Sequence, residues 1–173
     1  MGLRIEPARR RDALGLLALH RAVLEEGEWF VTSMAEYRGT LASKEAEVVE
    51  AASSGDSLLL VARSAGALVG WVSLSGTGLA RHRHVTRLEV MVGRSARGQG
   101  VGRQLVEAAL AWASAHPVIA KVSLVVYAKN DAAIGLYRAL GFAEEGRRDR
   151  EYRMEDGTWR DDVLMCRWVK AGG

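Results

Sequence analysis

The chain has 173 residues, of which 49% are hydrophobic and 26% charged, with a formal net charge of +3 and one cysteine. That length suits one compact domain able to bury its own core, and the balance argues against a disordered or membrane-spanning chain. Met1 to Arg11 lacks the apolar stretch of a signal segment and Cys166 has no partner for an internal disulfide, so a reducing cytoplasm is the expected setting.

Leu3-Arg4-Ile5 alternates and reads as a first strand, stopped by Pro7. Arg11 to Glu26 carries apolar residues near helical spacing, with Asp12 in the first turn and Gly27 as its stop. Glu28-Trp29-Phe30-Val31 is an aromatic loop, and Met34 to Ala52 reads as a second helix broken by Ser53-Ser54-Gly55-Asp56. Ser57 to Arg63 and Leu68 to Leu74 form a hairpin; Thr77 to Arg83 is a polar loop; Val85 to Val92 is a further strand. Gly100 to His116 is an amphipathic helix, and Val122 to Tyr127 is a continuous apolar run of the kind buried on both faces. Ala132 to Leu140 is a short helix, with Asn130 or Asp131 as its cap and Gly141 as its end. Phe142 to Arg150 and Asp161 to Val169 pair across the Asp156-Gly157 turn. This order predicts a mixed α/β (α+β) fold: one sheet with helices on both faces, in a single domain over residues 1–170 with a loose tail at 171–173.

The segment Val90-Met91-Val92-Gly93-Arg94-Ser95-Ala96-Arg97-Gly98-Gln99-Gly100-Val101-Gly102 takes a strand through a glycine-rich turn into a helix. Gly98, Gly100 and Gly102 let a ligand approach the backbone. The unpaired first amides of the helix suit phosphate oxygens, and Arg97 adds a cation. An ordinary strand-to-helix turn is the plainer reading of this segment alone. A Walker loop is excluded because Gly102-Arg103-Gln104 lacks the required Gly-Lys-Ser/Thr. A dinucleotide fold is disfavoured because the next strand ends Val125-Val126-Tyr127 without an acid. The densest basic clusters, Arg9-Arg10-Arg11 and Arg147-Arg148-Asp149-Arg150, are short and read as solvated faces. The charge pattern therefore suits a small polyanion rather than nucleic acid.

A second segment narrows this choice. Asn130-Asp131-Ala132-Ala133-Ile134-Gly135-Leu136-Tyr137-Arg138-Ala139-Leu140-Gly141-Phe142, together with Arg97-Gly98-Gln99-Gly100-Val101-Gly102, resembles the paired motifs of the GNAT superfamily of N-acetyltransferases, and the element order is similar too. Trp29-Phe30, Gly146-Arg147-Arg148 and Gly157-Thr158-Trp159-Arg160-Asp161-Asp162-Val163-Leu164-Met165 are similar to the branch acting on amino acids and phosphinothricin-like compounds.

The resemblance implies a mostly antiparallel sheet with one splayed strand pair and acetyl-CoA as cosubstrate, without a metal. Val90, Met91 and Val92 would border the pantetheine arm. Arg97, Gly98, Gln99, Gly100, Val101 and Gly102 would hold the pyrophosphate. Asn130 would touch the arm or cap its helix, with Ala133 beside it. Tyr137 would protonate the leaving thiolate, a core tyrosine being the plainer alternative. Many relatives carry a basic Glu early in the splayed strand, where Thr86 and Arg87 stand here. Glu89, His84 or a water remain as bases, with the strand register undecided. Trp29 and Phe30 either wall the acceptor pocket or plug the core. Cys166 reads as a buried hydrophobe. The implied activity is acetyl transfer to a small-molecule amine such as an amino acid, by direct attack. Transfer to a protein N-terminus or lysine, and a non-catalytic acetyl-CoA-binding regulator, are the alternatives. A homodimer is expected, and a membrane partner is not.

Overall fold

The computed structural model describes residues 2–170, so the expected tail at 171–173 lies outside the described residues. The elements run β1 (Arg4–Pro7), α1 (Ala13–Leu24), α2 (Leu41–Ser53), β2 (Leu58–Ser64), β3 (Ala67–Ser75), β4 (Val85–Val92), α3 (Val101–Ala115), β5 (Lys121–Tyr127), α4 (Asp131–Ala139), β6 (Ala143–Arg153) and β7 (Trp159–Trp168). The strands form one seven-stranded sheet in the order β1-β2-β3-β4-β5-β7-β6.

The expected and observed elements differ most at the second helix. It starts at Leu41 rather than Met34 because Thr40 and Ser43 cap each other. Thr40 Oγ1 accepts from Ser43 N–H at 3.1 Å, and Ser43 Oγ accepts from Thr40 N–H at 2.9 Å. This reciprocal cap outcompetes helix formation over the preceding turn, where Ser33 N–H donates to Glu36 instead. At the other end of the chain, Gly157 takes a positive φ of 80° in the β6–β7 connection, as the Asp-Gly pair implied.

All neighbouring strands are antiparallel except β4 and β5. That parallel pair is short: Val85 opposes Lys121, Thr86 opposes Val122 and Arg87 opposes Ser123. Beyond Arg87, β4 stays with β3 as far as Val92, while β5 stays with β7 as far as Tyr127. The sheet therefore splits between its two halves.

Strand alternation divides the side chains between two layers. Leu88 and Val122, Leu124 and Val126 join a core with Leu105, Val106, Ala109, Leu110, Ile134 and Tyr137 of α3 and α4. Met91, Trp71 and Val61 join a second core with Leu16 and Val23 of α1 and Val48 of α2. Leu105 is fully buried, so its truncation to alanine should cost about 2–5 kcal/mol. Among the described residues no helix is long and apolar enough to cross a membrane.

Candidate active site

The split in the sheet opens a cleft of about 900 Å³ that is lined from both faces. At one end, β4 leaves the sheet at Gly93, makes a single 3-10 turn over Arg94–Ala96 and enters α3 through Gly98 and Gly100. Both glycines have positive φ, 74° and 79°. A Cβ on either would meet nothing within 4 Å, because both border the open cleft. The first bond that closes the helix runs from Gln104 N–H to Gly100 C=O at 3.1 Å. The N–H groups from Gly98 to Arg103 have no acceptor among the described residues. Such a run of unpaired amides at a helix N-terminus is an anion site. It suits the oxygens of a phosphate or pyrophosphate group.

One side chain in this loop does not act as the sequence suggested. Arg97 is no free cation: its guanidinium holds Glu26 in a bidentate pair at 2.6 and 2.8 Å and donates to Val92 C=O at 3.0 Å. Its charge is matched by a carboxylate, so it braces the loop against the end of α1. Gln99 turns away and donates to Ser95 C=O at 2.7 Å, leaving only its amide for a ligand. Arg103 and the exposed Lys129 are further cations lining the cleft, and neither was anticipated. Val90, Met91, Val92, Val101, Gly102 and Ala133 all line the cleft. Asn130 also lines it, and its side chain accepts from Ala133 N–H at 3.1 Å, so it caps α4.

Tyr137 is carried by α4. It is 7% exposed, its ring packs on Phe142 at 5.7 Å, and it lines the cleft. Its hydroxyl has no hydrogen-bond partner among the described residues and is not among the sealed polar atoms, so it is open to the cleft. Burial pushes its phenol up to about 12, so it carries its proton at neutral pH. Tyr137 thus packs in the core and lines the cleft at once.

The other end of the cleft lies on the α1 face of the sheet. Trp29 and Phe30 are half-buried there, and Phe30 also packs on the second core. Glu89 opposes Ser73, shares a strand face with Arg87 and Met91, and borders the cleft 3.7 Å from the Arg87 guanidinium. His84 is elsewhere. It precedes the paired end of β4, its carbonyl accepts from Ala120 and Lys121 N–H at 2.8 and 3.0 Å, and its ring lies near His82. The strands have not yet parted at that level, so His84 does not line the cleft and is withdrawn as a base. Thr86, at the position where many relatives carry a Glu, is 1% exposed.

Sequence reading missed four residues here: His20, Tyr127, Tyr152 and Asp162. His20 stacks on Tyr37 at 4.6 Å, and burial, helped by Lys44, lowers it to about 4, so it is neutral at pH 7. Tyr127 has a sealed, unpartnered hydroxyl, and burial pushes it up to about 12. Tyr152 donates to Asp162 Oδ2 at 3.0 Å. Burial raises Asp162 above the usual carboxylate range, the Tyr152 hydrogen bond acting against it. Tyr152 reaches that position through an irregularity in β6 between Arg148 and Tyr152, where Arg150 takes a φ of 52° and its N–H donates to Asp161 at 2.7 Å. The repeated aspartate at 161–162 was the available signal, but it names no partner. Cys166 is buried and burial raises its thiol, which matches the inert reading.

A sequence model described as the acetyltransferase (GNAT) family matches residues 17–142. The chain is 37% identical over 93 residues to an N-alpha-acetyltransferase, RimI, of Mycobacterium tuberculosis (strain ATCC 25618 / H37Rv), covering 54% of this chain and 56% of that one. It is 32% identical over 114 residues to a phosphinothricin N-acetyltransferase of Alcaligenes faecalis, covering 65% of this chain and 57% of that one. The matched region thus spans just over half the length of these curated relatives. Among solved structures, an acetyltransferase of the GNAT family from Streptococcus pneumoniae superposes with a TM-score of 0.92 at 29% identity, covering 96% of this chain and 99% of that one.

Proposed function

The chain belongs to the acetyltransferase (GNAT) family, and from that premise we propose that it transfers an acetyl group from acetyl-CoA to the primary amine of a small molecule such as an amino acid. The observation that carries this reading is the cleft itself: unpaired amides from Gly98 to Arg103 at one end, and Tyr137 of α4 lining it with a free hydroxyl. The amides and Lys129 hold the pyrophosphate. The edge of β4 beyond Arg87, which has lost its β5 partner, offers backbone groups to the amides of the pantetheine arm.

Both substrates are held together, so orientation replaces random encounter and transfer is direct. Tyr137 donates its proton to the sulfur as the thiolate leaves. Trp29 and Phe30 close the acceptor end, which favours a metabolite over an extended peptide. The protein acts as one domain over residues 1–170, in a reducing cytoplasm. It works as a homodimer, with the C-terminal strands, of which β6 is the sheet edge, and the exposed Trp159 and Trp168 as its contact. A monomer by sedimentation at high concentration would end the dimer reading.

The second reading, transfer to a protein N-terminus, is favoured by the 37% identity to a relative named as an N-alpha-acetyltransferase. Thiol release from acetyl-CoA, followed with amino acids, phosphinothricin-like compounds, simple amines and short peptides, separates the two. Turnover of amino acids supports the first; turnover of peptides alone supports the second. No turnover with any amine, alongside tight acetyl-CoA binding, supports a regulator instead.

A further inference from the structure

We propose that Asp162, aimed by Tyr152, is the proton acceptor for the substrate ammonium, and that Arg87, which lines the same cleft, binds an acceptor carboxylate, so that the site selects α-amino acids. The Arg87 part rests on the small-molecule reading above; the Asp162 part holds for any amine acceptor.

Asp162 is 2% exposed yet lines the cleft. One carboxylate oxygen accepts from the Tyr152 hydroxyl at 3.0 Å, and the other has no partner among the described residues. A buried carboxylate with a free oxygen toward a cavity calls for a cation or a donor there. The neighbouring strand supplies a second orphan. Tyr127 opposes Asp162 in register, is 5% exposed, and its hydroxyl is sealed with no partner. Its ring meets that of Tyr152 edge-on at 5.8 Å. Three polar groups from β5, β6 and β7 therefore converge on one spot at the acceptor end. An ammonium in the cleft can approach the free Asp162 oxygen beside the Tyr152 phenol, while the sealed Tyr127 hydroxyl is out of its reach.

Arg87 is the last residue of β4 paired with β5, and its side chain lines the same cleft as Asp162. Its charge acts on Asp162, together with Arg148 and Glu151 of β6. Glu89 at 3.7 Å neutralises it only in part, since both side chains are more than half exposed. Arginine and aspartate facing one small cleft match the two charges of an amino acid.

The step balances as follows. Asp162 takes one proton from the ammonium. The amine nitrogen attacks the acetyl carbonyl carbon, the C–S bond breaks and its electron pair leaves on sulfur. Tyr137 protonates that sulfur and recovers a proton from the nitrogen as the amide forms. Asp162 returns its proton to water.

Asp162→Asn keeps the volume and can still accept from Tyr152. It should leave acetyl-CoA affinity unchanged, lower kcat/KM for amines by ~10²- to 10⁴-fold and erase the acidic limb of the pH profile. Tyr152→Phe removes the hydrogen bond that favours the ionised carboxyl, so the acidic limb should move to higher pH; this variant decides the matter if the first fails to fold. Arg87→Ala should raise KM by at least ~10-fold for α-amino acids and leave it unchanged for the same amines without the carboxylate. Wild-type kcat/KM and an unmoved profile in Asp162→Asn overturn the base. An equal rise in KM for both amine classes overturns the Arg87 assignment. If the wild-type protein acetylates peptides alone, the small-molecule reading and the Arg87 assignment fall together, and Asp162→Asn assayed on the peptide still decides the role of Asp162.

Discussion

The two ends of the cleft are built from different materials. The phosphate end is backbone: consecutive N–H groups from Gly98 to Arg103, exposed because the glycines carry no side chain and the helix has just begun. The acceptor end is side chain: His20 from α1, Arg87 and Glu89 from β4, Tyr127 from β5, Tyr152 from β6 and Asp162 from β7. A backbone site binds the same group whatever surrounds it. A side-chain site changes its ligand whenever one contributing strand changes a residue. The difference teaches why one end can serve a shared cosubstrate while the other sets the acceptor.

The comparison breaks most sharply at Gly100. A valine there points its Cβ into the cleft and must also adopt a φ of 79°, so acetyl-CoA binding should be lost entirely. Calorimetry checks this, with circular dichroism to confirm folding; a folded variant with normal affinity would place the cosubstrate elsewhere. Tyr137→Phe comes next. Turnover should fall by ~10²- to 10⁴-fold with affinity for acetyl-CoA intact. A stable acetylated protein, trapped before amine is added, would replace direct transfer with a covalent route.

Glu89→Gln sharpens the acceptor end. With Asp162 as the base, it should change kcat/KM by less than ~10-fold; a loss of ~10²-fold or more would return the base to Glu89. Glu26→Gln tests the brace between the ends. It should lower stability by an amount between the ~0–1 kcal/mol of an exposed pair and the ~3–5 kcal/mol of a buried one, read by denaturant unfolding. The smallest effect concerns His20, whose value of about 4 in the fold lies below the ordinary 6.5. The unfolded chain therefore binds a proton that the native chain refuses, so stability should rise with pH between about 4 and 6.5. His20→Phe should flatten that part of the slope relative to wild type.

Legibility follows the same division. The strand–glycine–helix segment and the Asn130–Phe142 segment are local, and local patterns survive in a linear text. So do the alternation of β4 and the stripe of α3. The start of α2 was misplaced because a run of helix-compatible residues from Met34 hides a stronger reciprocal cap at Thr40 and Ser43. Arg97 looked like a phosphate ligand because its partner, Glu26, is 71 residues away in sequence. His84 looked suitable because composition says nothing about where two parallel strands part. Asp162 and Tyr152 meet only because β6 is irregular at Arg150, and no periodicity announces that.

The Glu26–Arg97 pair has a further consequence for recombination between relatives. It joins the last residues before the aromatic loop to the residue just ahead of the glycine turn, so it marks a seam in the molecule. A crossover placed after Glu26 exchanges the aromatic loop and leaves the brace whole. A crossover placed before it imports a foreign residue opposite Arg97 and strands a guanidinium that is only one-third exposed. Loop libraries aimed at new acceptors should therefore begin at residue 28, where the sequence can vary without loosening the cosubstrate's seat.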